Sequence, residues 1–172
     1  MDMDVDRNQK HPSTRLSEVD VIYNPSLGAY LLWRACNGYF SESEGAMPIA
    51  LSFLILPLTL HGQSRRLVSS TLAASGLAMF TAKLGTHQED LLAVHQRALE
   101  LRELSLSSLT LATATNLLTV LPEHATMMPA TQVDMPRASD RMHQLGKVAE
   151  KLGTWFARLP IDQVRSLLRV SF

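Results

Sequence analysis

The chain is poor in several things, and each shortage closes off a class of function. Among 172 residues there is one cysteine, Cys36, so no disulfide framework can form within a single chain. Cys36 lies among apolar neighbours on a helical stretch, which suits an inert buried thiol better than a nucleophile. The six histidines are His11, His61, His87, His95, His124 and His143, and no pair of them has His-Glu-x-x-His spacing. His124 with Met127 and Met128 comes nearest to a soft-metal set. A methionine pair beside prolines is better read as gap-filling core. There is no glycine-rich phosphate loop and no Gly-x-Ser-x-Gly elbow. We therefore expect no catalytic residue, no cofactor and no bound metal.

Net charge is also absent. Sixteen basic residues balance sixteen acidic ones, so no global field steers the chain toward nucleic acid. Long hydrophobic runs are missing too. The most apolar stretch, residues 46–60, is shorter than the roughly 20 residues that a spanning helix needs, and Pro57 interrupts it. It reads as a kinked central helix, buried by its own chain and by a partner. Residues 104–121 are longer and uncharged but rich in Ser and Thr, which fits a buried or partner-facing helix. No membrane contact is expected. The acidic N-terminus has no signal-peptide pattern, so we read the chain as cytoplasmic.

What the chain does have is arginine. Twelve arginines stand against four lysines, and arginine suits planar, bidentate contacts at interfaces. The basic residues gather late: Arg137, Arg141, Lys147, Lys151, Arg158, Arg165 and Arg169 face only Asp140, Glu150 and Asp162 over the last part of the chain. Arg65 and Arg66 follow the apolar run in what reads as a solvated turn, placed to touch phosphate or an acidic partner. Trp155-Phe156 is an aromatic pair on a helix with one apolar stripe, so one ring is expected in the core and the other as an exposed anchor. The candidate interface is thus Arg65, Arg66, Trp155, Phe156, Arg158, Arg165 and Arg169.

Periodicity predicts a mainly α protein. Residues 1–17 read as a mobile tail and 18–172 as one helical domain. A short extended piece at 19–23 precedes Asn24-Pro25, a cap followed by proline at the first helical position. That helix is expected to stop at Gly38. Further helices are expected at 48–60, 70–84, 87–104 and 107–118. Three prolines follow, and a small hairpin, 118–121 against 125–128, is expected between them, compatible with a winged-helix-like arrangement. The stripe Leu145, Val148, Leu152, Phe156 and Leu159 marks a long helix from Ser139 or Asp140 to just before Pro160. Gly146 and Gly153 lie seven residues apart on it, which suggests close approach by a neighbouring backbone. A short terminal helix completes the chain.

Four segments in a fixed order, "VIYNPSLGAYLLWRACNGY", "LPLTLHGQSRR", "HQRALELRELS" and "KVAEKLGTWFARLPIDQVRSLLRV", resemble the middle component of three-component ABC systems, the bacterial defence operons that include Lamassu. The resemblance covers residues 19–172. It implies a non-enzymatic adaptor between an SMC-like or Rad50-like ABC ATPase and an effector, commonly a nuclease, with DNA engaged indirectly through the complex or by weak backbone contact. It implies no catalytic residues. Two other readings compete. One is a DNA-binding helical domain that uses the hairpin as a wing. The other is an enzyme with an unfamiliar site around His61, Arg65 and Arg66.

Overall fold

The computed structural model describes residues 23–86, 88–131, 133 and 139–171. The expected tail and all of the extended piece before Tyr23 lie outside them. Helix α1 (Pro25–Ser43) starts as the sequence predicts. The Asn24 side-chain oxygen accepts the Ser26 N–H at 2.8 Å, and Pro25, which has no N–H to satisfy, fills the first helical position. Gly38 does not end this helix. The chain runs on to Ser43 and stops at Glu44, whose φ of 53° is left-handed. Gly38 serves a crossing instead, because a Cβ there would collide with the Glu150 carbonyl of helix α7 (Asp140–Ala157).

Helix α7 is capped by Ser139, whose hydroxyl accepts the Met142 N–H at 3.3 Å. Its glycines do what their spacing suggests. A Cβ on Gly153 would strike the Ala35 carbonyl of α1, and one on Gly146 would meet the Tyr30 hydroxyl. The two longest helices therefore cross with backbone against backbone, and this seam organises the molecule. Leu145, Val148, Leu152 and Phe156, the expected stripe, are buried along it.

The apolar run forms strand β1 (Met47–Pro48) and helix α2 (Ile49–Leu60). Pro57 sits inside α2, where it removes one ladder donor. Leu51, Leu54, Ile55, Leu56 and Leu58 are all at most 1% exposed, so the run is the core helix of its own chain. Among the described residues no single helix is long and apolar enough to cross a membrane.

The middle of the chain departs from expectation. Arg65 and Arg66 are not in a turn but in helix α3 (Gly62–Ser70), begun by His61, whose Nδ1 accepts the Ser64 N–H at 3.4 Å. The single helix expected over 70–84 does not form. A 3-10 turn (Ala73–Ser75) and helix α4 (Gly76–Leu84) follow α3 across a bend of 100°. Gly76 has φ 71°, a state that a side chain would strain. Helices α5 (Gln88–Glu100) and α6 (Arg102–Ala114) then meet at Leu101, earlier than the expected boundary.

The expected hairpin is present as β2 (Leu118–Leu121) against β3 (Thr126–Pro129), paired Leu118 to Pro129 and Val120 to Met127. Strand β1 adds to the other edge of β3, giving the antiparallel order β1-β3-β2. Met127 is fully buried in the central strand, and the Cys36 thiol of α1 donates to its carbonyl at 3.6 Å. The hairpin is thereby built into the core, and Met127 serves packing. Helix α8 (Ile161–Leu168) closes the chain by burying Val164 and Leu168.

Candidate partner-binding surfaces

One face of α7 holds a distant piece of backbone. Lys151 and Trp155, four residues apart, and Arg158, three further on, lie on the same side of the helix and its cap. The Lys151 ammonium donates to the carbonyls of Val68 at 3.1 Å, Ser69 at 3.3 Å and Thr71 at 3.1 Å. These include the last carbonyls of α3, which a helix end otherwise leaves without partners. The Trp155 indole N–H donates to the Ala73 carbonyl at 2.9 Å, and Arg158 Nη1 reaches the same oxygen at 2.7 Å. From α4, Lys83 donates to the Thr71 hydroxyl at 3.2 Å. The Leu72 carbonyl accepts the Ser75 N–H at 3.0 Å.

The charges of this clamp are not all neutralised. Arg158 forms a fork with Glu42, Nε to Oε1 at 2.8 Å and Nη2 to Oε2 at 3.3 Å. That hydrogen bonding holds the Glu42 carboxyl below its ordinary range and raises Arg158. Among the described residues Lys151 meets neutral carbonyls and the Trp155 ring, 5.9 Å from its ammonium, and burial pushes its pKa down. At the tip of the held segment Leu72 is 74% exposed, and Ala73, Ala74 and Ser75 are exposed beside it.

Six of the seven residues singled out from sequence divide between two places, and the seventh, Phe156, is in the core. Arg65 and Arg66 line a shallow cleft with Ser69, Ser70, Gln144 and Val148, beside the held segment. Arg65 Nη1 also donates to the Leu60 and Thr59 carbonyls, at 3.2 and 3.4 Å, and closes the end of α2. Trp155 and Arg158 reach the same segment from α7. The expected exposed ring does not exist: Trp155 and Phe156 are both fully buried, with Trp155 tilted against Phe80 at 6.0 Å. Both rings are large enough to fill the space between α7 and its neighbours, so neither reaches solvent.

Arg165 and Arg169 lie elsewhere, on α8 and its cap. Arg165 Nη1 pairs with Asp162 at 3.2 Å, and Arg169 has a left-handed φ of 52°. They border a hollow that shares Val170 with an apolar groove of about 290 Å³. Phe53 and Leu54 of α2 and His95, Ala98 and Leu99 of α5 line that groove, with Arg102 at its rim. Leu92 and Leu99, seven apart on α5, are 55% and 53% exposed.

The histidine region is a structural joint. His61 Nδ1 faces the Ser64 hydroxyl at 3.0 Å as well as its N–H, so the ring fixes the start of α3. Burial, with Arg97 next, holds the imidazole below its ordinary value. Gln63 donates to the Asp90 carboxylate at 2.7 Å, and Arg97 donates to the Asp90 carbonyl at 3.2 Å. Arg65 points to the end of α2, so two of the three residues of the enzyme reading, His61 and Arg65, are taken up by helix ends. Among the described residues no group of three His, Cys, Asp or Glu side chains is placed to hold a metal ion.

Sequence reasoning missed Leu72, Lys83 and Lys151. The spacing Lys151, Trp155, Arg158 was the available signal for the clamp. Leu72 had none, since it falls in a stretch whose periodicity reads as continuous helix.

Residues 12–172 match the family model described as ABC-three component (ABC-3C) system Middle Component 3. No curated protein and no solved structure matches the chain.

Proposed function

The chain belongs to the ABC-three component system Middle Component 3 family, and on that premise we propose that it is a non-enzymatic adaptor. It joins an SMC-like or Rad50-like ABC ATPase to an effector, commonly a nuclease, in a cytoplasmic complex that defends a bacterial cell against phage or plasmids. The family match over nearly the whole chain carries this reading, because a middle component works with the other components of its system.

Two features of the molecule support it. The backbone-to-backbone seam of α1 and α7 makes a stiff body, as a connector requires. The chain also presents apolar side chains at two places with different linings, the Leu72 segment and the α5 groove. The DNA-binding alternative has less support, since the hairpin that would serve as its wing is tied into the core through Met127.

Co-purification tests the proposal. The tagged chain is expressed with the products of its flanking genes, and native mass of the eluate identifies what travels with it. A stable complex containing an ABC ATPase is the expected result. A lone monodisperse monomer would overturn the adaptor reading. Replacement of His61 by alanine is expected to leave assembly intact, and loss of the complex's activity with assembly preserved would favour an enzyme instead.

A further inference from the structure

We propose that Leu72 is a preformed anchor, by which this chain docks into an apolar pocket on an acidic protein surface of a partner component. The inference rests on the adaptor reading for the identity of the partner.

A single exposed leucine is ordinary. The way this one is held is not. The carbonyls of Val68, Ser69, Thr71, Leu72 and Ala73 all have hydrogen-bond partners, and the donors to four of them are side chains of α7 or its cap. Lys83 adds a tie at Thr71. A segment fixed at this many points has lost its freedom before any partner arrives. Binding through it therefore carries little ordering cost, which is how preorganisation raises affinity. Yet the residue at its tip, Leu72, is 74% exposed and contributes little to its own core.

The surroundings say what kind of surface fits. Lys83 and Lys151 bind the segment through neutral oxygens, and among the described residues no carboxylate pairs with either ammonium. The Arg66 guanidinium lies back toward Gly62, at the other end of α3, and is not part of this charge. Arg158 is balanced by Glu42. The tip is thus a leucine flanked by uncompensated positive charge, complementary to an apolar pocket with acidic residues around it.

DNA fits less well. Phosphate binding needs free donors, and the three of Lys151 already meet three carbonyls. At the tip itself the exposed contact element is the hydrocarbon side chain of Leu72.

The test compares the full chain with its Leu72→Asp and Leu72→Ala variants, each co-expressed with the flanking gene products. Because Leu72 is exposed, both variants are expected to fold with an unchanged unfolding midpoint. Affinity for the partner component is expected to fall about tenfold or more in Leu72→Asp and less in Leu72→Ala. A groove variant, Leu99→Asp, is expected to keep that same contact. If the wild-type chain captures neither flanking product, the adaptor reading and this inference both fail. If Leu72→Asp binds like wild type, this inference fails while the adaptor reading stands. If the variant keeps its protein partner but loses salt-dependent binding to duplex DNA, the segment is a DNA contact and the inference is overturned.

Discussion

The α1–α7 seam and the segment at residues 68–75 are both held tightly, but by opposite means. At the seam, glycines remove side chains so that two backbones can touch. At the segment, long polar side chains reach out and grasp a backbone that is otherwise far from them. The first arrangement has no slack, since a Cβ added at Gly38 or Gly153 meets a carbonyl. The second separates the holding from the held: Lys151, Trp155 and Arg158 do the fixing, and the tip at Leu72 is left free to vary. A region built like the seam is suited to permanence, and one built like the segment is suited to presenting something.

Three substitutions probe this contrast, beginning with the largest effect. Gly153→Leu should cost about 3 kcal/mol or more, at the upper end for overpacking, because the obstacle is the Ala35 backbone and cannot rotate away. Chemical denaturation measures it, and a neutral result would mean that the seam has room and the contrast is false. Lys151→Met should cost about 1–2 kcal/mol by leaving carbonyls of α3 and its cap without donors. It should also open residues 69–75 to limited proteolysis while α1 and α7 stay protected. Uniform resistance to protease would show that Trp155 and Arg158 suffice and that Lys151 is dispensable.

The smallest effect concerns pH. Burial and Arg97 hold the folded His61 below its ordinary 6.5, so on acidification the unfolded chain takes up this proton first. Stability is therefore lost as pH falls through 6.5 and down to the lowered value. His61→Asn keeps a good helix cap and removes the titration. Its unfolding midpoint should fall less than that of wild type between about pH 7.5 and about pH 5.5. Identical slopes would show that other groups govern the acid limb.

The ends of α1 and α7 show which parts of this fold the sequence makes legible. Asn24-Pro25 and Ser139 carry their capping chemistry locally, so the helix starts could be read. The stripe on α7 and its paired glycines were equally plain, because helical periodicity is a local property. Gly38 was misread for a physical reason. A helix stop and a helix crossing both call for a missing Cβ, and only the partner helix tells them apart. The break after α3 depends on donors that lie some eighty residues later, at Lys151 and Trp155, and no local pattern contains them. The same distance hid the role of Trp155. An aromatic beside arginine looks like an interface anchor until the carbonyl that receives its indole N–H is known. Two of the seven candidate residues, Trp155 and Arg158, meet at one carbonyl, that of Ala73, since arginine and tryptophan are side chains able to reach across to a backbone.

The lone thiol lends itself to a use of its own. Cys36 is fully enclosed beneath β3, and burial pushes its pKa up to about 12. An alkylating reagent added to the native chain finds no thiolate until α1 separates from the sheet. The rate of labelling is then a clock for that opening. A fluorophore coupled to a cysteine introduced at the surface would mark that position alone, so the docking of each partner component can be timed on an otherwise silent molecule.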